Sequence, residues 1–148
     1  MELILWRHAE AEDTYPDMER ALTEKGRHQA KRMAAWLKPR LPQNTRILVS
    51  PARRTQQTAE ALGLDFNTLD ALAPDTSPEA ILAAAGWPQG EGAALIVGHQ
   101  PTLGEIASIV LRSRDYSLDT QKGAIWWFAA RRGEIALKAA LTPELLEE

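Results

Sequence analysis

Two histidines and several arginines each lie just beyond a short apolar run of the chain. Arg7 and His8 form one pair, Arg54 follows a second run, and His99 follows a third with a single glycine between. A lone histidine or arginine after a strand is usually a solvated or structural residue. Three such positions in one chain instead indicate a shared site, provided that the runs are neighbouring strands of one sheet.

These side chains suit phosphate chemistry. A guanidinium group offers a planar fork of donors that matches phosphate oxygens and stays charged at physiological pH. A neutral imidazole can attack phosphorus through one nitrogen when its other nitrogen is held as a donor, usually by a backbone carbonyl. A second histidine, if protonated, would stabilise charge on the equatorial oxygens.

The elements that must position these residues alternate between strands and helices. Apolar runs rich in strand formers predict buried strands over Leu3–Trp6, Arg46–Ser50 and Ala93–Val97, a weak strand over Phe66–Leu69, and a hairpin over Ala124–Ala130 and Glu134–Leu141. Apolar spacing and end signals predict a first helix from Thr23 to Leu37, and others over Arg53–Leu62, Pro78–Ala85 and Thr102–Leu111. This alternation predicts an α/β fold with a largely parallel sheet. Ligands of open α/β sheets bind at the carboxyl ends of the strands, where these arginines and histidines lie.

Three segments in this order resemble the histidine phosphatase superfamily, which has the phosphoglycerate mutase-like fold. They are Arg7-His8-Ala9, Ser50 to Ala59 with Arg54, Gln57 and Thr58, and Val97-Gly98-His99. Arg20 to Thr23 with Gly26, and Gly98 to Pro101, are most similar to its SixA-type phosphohistidine phosphatase branch. The similarity extends from Leu3 to about Ala140. It implies one domain over residues 1–148, a three-layer sandwich with helices on both faces of a mainly parallel sheet and a C-terminal β-hairpin.

The resemblance also implies roles. His8 is the nucleophile that is transiently phosphorylated, and water then hydrolyses the phosphohistidine. Arg7 and Arg54 hold the phosphoryl oxygens, His99 is the second histidine, and Arg20 matches an arginine that helps line the pocket in this branch. No metal or other cofactor is expected, because the arginines supply the charge that Mg²⁺ provides elsewhere.

The chain departs from the family pattern at two points. Ala9 stands where the family usually has glycine, and it would be strained if the backbone there needed a positive φ. Larger members also take a general acid from the middle of the chain, where Asp75 is the one carboxylate between Leu72 and Pro78. Asp75 is thus the candidate general acid, although an aspartate in such a loop is also typical of a turn.

The scarcity of acids favours phosphohistidine as the substrate. An alkoxide leaving group needs a proton, whereas imidazole is a far better leaving group that gains little from a dedicated acid. The short chain also has few residues for a lid, so a protein surface could reach the pocket. We therefore expect a phosphatase acting on phosphohistidine in a protein. The alternatives are a phosphatase of small phosphate esters and a non-catalytic phosphate-binding regulatory domain.

Composition excludes other classes. The formal net charge is -3, so there is no basic excess for nucleic-acid binding. The longest apolar run, Ala124–Ala130, is too short to span a membrane, and no signal peptide is evident, so we expect a cytoplasmic protein. Two histidines with Glu10, Glu12 or Asp13 could suggest a metal site, but Arg7 would repel the ion.

Overall fold

The computed structural model describes residues 1–113 and 118–147. The strands are β1 (Glu2–Arg7), β2 (Arg46–Val49), β3 (Asn67–Thr68), β4 (Ala93–Gly98), β5 (Ile125–Arg131) and β6 (Glu134–Leu141). The helices are α1 (Glu24–Leu37), α2 (Arg53–Glu60), α3 (Pro78–Ala85) and α4 (Thr102–Leu111). The predicted α/β order is therefore confirmed, including the C-terminal hairpin.

The six strands form one sheet in the order β3-β2-β4-β1-β5-β6. Strands β3, β2, β4 and β1 are parallel, whereas β5 and β6 are antiparallel to their neighbours. The carboxyl ends of β1, β2 and β4 consequently meet at one edge. Because β5 runs the opposite way, the segment that precedes it reaches the same edge.

Helices cover both faces of the sheet, as the three-layer prediction requires. On one face α1 and α2 pack against Ile4 and Trp6, and on the other α3 and α4 pack against Leu3 and Leu5. All four of these β1 side chains are fully buried. Continuous apolar sequence in β1 and β4 is what a parallel strand buried on both faces needs.

Some element boundaries differ from those predicted. The strand expected over Phe66–Leu69 is reduced to Asn67–Thr68, which stand opposite Leu48 and Val49 of β2. The second helix ends at Glu60 instead of Leu62. No helix in the described ranges 1–113 and 118–147 has the length and apolar character needed to cross a bilayer.

The loop after β1 is fastened to the start of α1. Thr23 caps that helix, because its side chain accepts a hydrogen bond from the Gly26 amide. The Thr23 amide in turn donates to the Glu10 carbonyl at 3.0 Å, and the Glu10 amide donates to the Gln29 side chain at 3.0 Å. A methyl group added at Gly26 would overlap the Glu10 carbonyl. The close approach that holds the loop after His8 therefore requires glycine at this helical position.

Replacing Gly26 by alanine tests this close approach. Helix propensity alone would make Gly26→Ala stabilising by about 1 kcal/mol. We expect the overlap to reverse that sign and to lower the free energy of unfolding by about 3 kcal/mol. Urea unfolding followed by tryptophan fluorescence measures the change. Lys25→Ala, at the exposed neighbouring position, should have little effect, and a stabilised Gly26→Ala variant would contradict the packing described.

Candidate active site

One cleft at the edge where β1, β2 and β4 end collects the side chains singled out in the sequence. Its volume is about 320 Å³. The sequence-predicted residues that line it are Arg7, His8, Arg20, Arg54, Asp75 and His99. The structure therefore brings all six together, although they come from widely separated parts of the chain.

His8 follows β1 directly, and its ring is fixed by the neighbouring backbone. The Nδ1 atom lies 2.7 Å from the Ala9 carbonyl oxygen, and a carbonyl only accepts, so Nδ1 carries the proton and Nε2 carries a lone pair. The Ala9 amide donates to Thr58 Oγ1 at 3.0 Å, which ties this loop to α2. Ala9 is not among the residues with positive φ, so alanine causes no backbone strain at this position.

Both histidines of the cleft are uncharged at neutral pH. Their ring centroids are 5.3 Å apart. Burial, reinforced by the charges of Arg7 and Arg54, lowers the pKa of His8 to about 3. Burial and then the charge of Arg54 lower the pKa of His99 to about 4. His99 therefore enters the cleft as a neutral ring, not as the imidazolium considered from the sequence.

Arg7 and Arg54 each donate hydrogen bonds to another segment of the chain. Arg7 Nη1 donates to the Thr120 carbonyl at 2.8 Å. The two terminal nitrogens of Arg54 donate to Asp17, one to its carbonyl at 2.8 Å and one to its carboxylate at 3.1 Å. Arg54 is 4% exposed although it is charged. A buried cation held this way is pre-organised for an anionic ligand.

Three buried polar atoms of the cleft have no hydrogen-bond partner among residues 1–113 and 118–147. They are Arg7 Nε, Arg54 Nε and His99 Nδ1. Unpaired buried polar atoms cost free energy and are uncommon in folded proteins. All three belong to residues that line the same cleft. An oxyanion bound in this cleft would supply the missing hydrogen-bond partners.

Asp17 is a cleft residue that sequence reasoning did not identify. Its carboxylate joins Arg54 to Arg20, whose Nη1 lies 3.2 Å away. Burial alone would raise its pKa, but the hydrogen bonds and charges of Arg20 and Arg54 hold the pKa of Asp17 below its usual value. The signal in the sequence was its spacing, because Asp17 precedes Arg20 by three residues. Asp17 begins a short 3-10 helix, Asp17–Glu19, and Arg20 follows that helix directly.

Lys122 also lines the cleft without having been predicted. It lies in the segment before β5, where the Gly123 amide donates to the His8 carbonyl at 3.0 Å and the Arg7 amide donates to the Ala124 carbonyl at 3.0 Å. This position follows from the antiparallel direction of β5. Recognising that direction in the hairpin would have placed Lys122 at the edge where β1 ends.

Asp75 lines the cleft from the turn that leads to α3. Its φ is 69°, a left-handed conformation that aspartate tolerates better than most residues. The turn-forming interpretation thus accounts for the residue type. Across the described ranges of the chain, no cluster of three histidine, aspartate or glutamate side chains is arranged to hold a metal ion.

The buried neutral histidines make stability depend on pH. In the unfolded chain the pKa of a histidine is about 6.5, whereas in the fold the pKa of His8 is about 3 and that of His99 is about 4. Between these values the unfolded chain binds more protons, so stability is complete above about pH 6.5 and falls as the pH drops. Each histidine contributes at most about 1.4 kcal/mol per pH unit in this window.

Removing His8 should therefore make the acid limb of the stability curve shallower. We expect urea unfolding of His8→Ala to show about half of the histidine-dependent slope between pH 6.5 and 4.5, because only His99 then contributes. His28→Ala, on the exposed face of α1, controls for the loss of a histidine elsewhere and should keep the wild-type slope. Equal slopes in His8→Ala and wild type would show that His8 is not buried in its neutral form.

Comparison with known proteins agrees with this geometry. Residues 3–75 match the model of the histidine phosphatase superfamily (branch 1). The chain is 35% identical over 156 residues to an uncharacterized protein of Picosynechococcus, covering 98% of this chain and 93% of that protein. It is 30% identical over 118 residues to the phosphohistidine phosphatase SixA of Escherichia coli, covering 73% of each chain.

Solved structures show the same fold over nearly the whole chain. The protein histidine phosphatase SixA complexed with tungstate superposes with a TM-score of 0.84 at 25% identity, covering 99% of this chain and 100% of that one. A phosphoserine phosphatase mutant of Entamoeba histolytica superposes with a TM-score of 0.76 at 15% identity, covering 99% of both chains, and this likeness concerns the fold alone. The chain belongs to the histidine phosphatase superfamily, with SixA-type proteins as its relatives, and is a hydrolase of the phosphatase class.

Proposed function

We propose that this protein, as one catalytic domain, removes the phosphoryl group from phosphohistidine in a protein, with His8 as the nucleophile. The observation that carries the proposal is that the cleft contains both a nucleophilic lone pair and unpaired polar atoms among the described residues. His8 Nε2 presents a lone pair, while Arg7, Arg54 and His99 each keep a buried polar atom unpaired within the described residues. A phosphoryl group bound between these residues would present its phosphorus to the lone pair of His8 and its oxygens to the unpaired atoms of the other three residues.

The reaction has two steps. The Nε2 lone pair of His8 attacks phosphorus while its Nδ1 hydrogen stays hydrogen-bonded to the Ala9 carbonyl. The bond from phosphorus to the substrate imidazole breaks, and this ring, protonated on its other nitrogen, takes the bonding electrons and leaves as neutral imidazole. Arg7 and Arg54, with Arg20 at the rim, stabilise the charge on the phosphoryl oxygens. Water then attacks the phosphorus on His8, and the phosphorus–Nε2 bond breaks with its electrons returning to Nε2. Phosphate leaves with both protons of the water, and His8 returns to its neutral Nδ1–H form. Neither step needs a metal ion.

The substrate class is supported by the acids available in the cleft. Asp17 is ion-paired to two arginines and carries a lowered pKa, so it is not poised to donate a proton. Asp75 is left as the candidate acid. Departure of an imidazole depends on such an acid far less than departure of an alkoxide does. A phosphoramidate therefore matches this cleft better than an alkyl phosphate.

Space beside the cleft supports a protein as the carrier of the phosphohistidine. A second, polar cleft of about 440 Å³ shares Arg7 and Lys122 with the first. Its walls come from α1, from the segment before β5 and from the C-terminal segment, with Gln29, Gln121 and Glu144 among its residues. This adjoining space can hold parts of a substrate that extend beyond the phosphoryl group.

Substitution of His8 tests the phosphatase mechanism. His8→Ala should lower the hydrolysis of an aryl phosphate by at least about 10³-fold, because the nucleophile is missing. His28→Ala should retain full activity. A chelator should leave the activity of the wild-type enzyme and of His28→Ala unchanged. Mass spectrometry of quenched wild-type enzyme should find phosphate on His8. Turnover of His8→Ala near the wild-type rate would exclude His8 as the nucleophile, and a wild-type protein that binds phosphate without turnover would be the regulatory domain.

A comparison of three substrates tests the proposal that phosphohistidine in a protein is the substrate. We expect kcat/KM to be highest for phosphohistidine in a protein, lower for free phosphohistidine, and lowest for an alkyl phosphate, by at least about 10²-fold between the first and last. Asp75→Asn should cost less than about tenfold on phosphohistidine, and Asp65→Asn, which lies outside the cleft, should cost nothing. An alkyl phosphate hydrolysed fastest, or a loss of about 10³-fold in Asp75→Asn on phosphohistidine, would overturn this assignment.

A further inference from the structure

Ser50 contacts His99, one of the residues that line the cleft. The residue follows β2 directly and is fully buried, and its Oγ lies 2.7 Å from His99 Nε2. Sheet register creates the contact, because β2 pairs with β4 in parallel and the Ser50 amide donates to the Val97 carbonyl at 3.1 Å. Ser50 does not line the cleft, so its effect on a ligand must pass through His99.

Hydrogen-bond accounting decides which atom of this pair holds the proton. Ser50 Oγ accepts from the Ala52 amide at 3.3 Å, and within the described residues its other partner is His99 Nε2. If Nε2 were the donor, the Ser50 hydroxyl hydrogen and the lone pair of His99 Nδ1 would both be unpaired. If the hydroxyl donates to Nε2, only one group is unpaired, the Nδ1 hydrogen. Because every unpaired buried polar group costs free energy, the second arrangement, which has fewer of them, is favoured.

We propose that Ser50 is a positioning residue, which donates to His99 Nε2 and thereby fixes His99 as the Nδ1–H tautomer, a neutral donor for the phosphoryl group. This inference rests on the proposed function for its catalytic consequence. The low pKa of His99 agrees with it, because a neutral ring needs a defined tautomer in order to donate. His8 and His99 would then be the same Nδ1–H tautomer with different hydrogen-bond partners. His8 would present the Nε2 lone pair to a ligand, and His99 would present the Nδ1 hydrogen.

Nitrogen NMR of the histidine rings tests the tautomer directly. In the wild-type protein near neutral pH we expect the shift of a protonated nitrogen at His99 Nδ1 and of a bare nitrogen at Nε2. In Ser50→Ala we expect a mixture of tautomers, and Ser50→Thr, which keeps the hydroxyl, should restore the wild-type pattern. A protonated Nε2 in the wild type, or a Ser50→Ala spectrum identical to it, would overturn the proposal. The wild-type spectrum decides the matter even if a variant fails to fold.

Kinetics separate this role from a structural one. Loss of a whole pre-organised donor costs about 10²–10³ in rate, and a ring free to change tautomer still donates part of the time. Ser50→Ala should therefore lower kcat about tenfold with little change in KM, and Ser50→Thr should recover most of it. Once His99 is replaced by alanine, adding Ser50→Ala should cause no further loss, because Ser50 acts through that ring.

A further tenfold loss in the double variant would show that Ser50 acts independently of His99 and would contradict the proposal. The NMR measurement does not depend on turnover. A wild-type protein without phosphatase activity would thus overturn the proposed function, while the ring spectra would still establish or refute the hydrogen bond from Ser50.

Discussion

Two imidazole rings share one cleft with the guanidinium groups of Arg7 and Arg54, and this arrangement is stable because the rings are uncharged. Protonating His8 or His99 would place another cation beside Arg7 and Arg54 at low dielectric, where like charges repel strongly. Burial and those guanidinium charges lower both histidine pKa values, to about 3 and about 4. The guanidinium charges that favour binding of an oxyanion therefore also keep the Nε2 lone pair of His8 available for attack.

The sheet supplies this environment by bringing unlike segments to one edge. Strands β1, β2 and β4 end there, and the antiparallel β5 begins there, so residues distant in sequence become neighbours. The segment before β5 contributes the Thr120 carbonyl that orients Arg7, and the loop after β1 contributes the Asp17 groups that orient Arg54. Each guanidinium is thus held by a different piece of chain through its terminal nitrogens, and its Nε has no hydrogen-bond partner among the described residues.

Much of this arrangement could be predicted from sequence, because it depends on local patterns. Apolar runs located β1, β2 and β4, and the rule for strand ends then placed His8, Arg54 and His99 at one edge. Residues whose position depends on long-range pairing could not be found the same way. Lys122 reaches the cleft only because β5 pairs antiparallel with β1, and the ion pair of Asp17 with Arg54 spans an interval without local periodicity.

Chemical symmetry offers a reason why so few acids suffice. In the proposed reaction, phosphorus moves from the imidazole of a substrate to the imidazole of His8, so the bond that breaks and the bond that forms are of the same kind. The second step again expels an imidazole, now that of His8. Surroundings that stabilise one phosphorus–nitrogen transition state therefore stabilise the other. An alkyl phosphate would break this symmetry, because its leaving oxygen would need a proton that Asp17, paired with Arg20 and Arg54, is not poised to give.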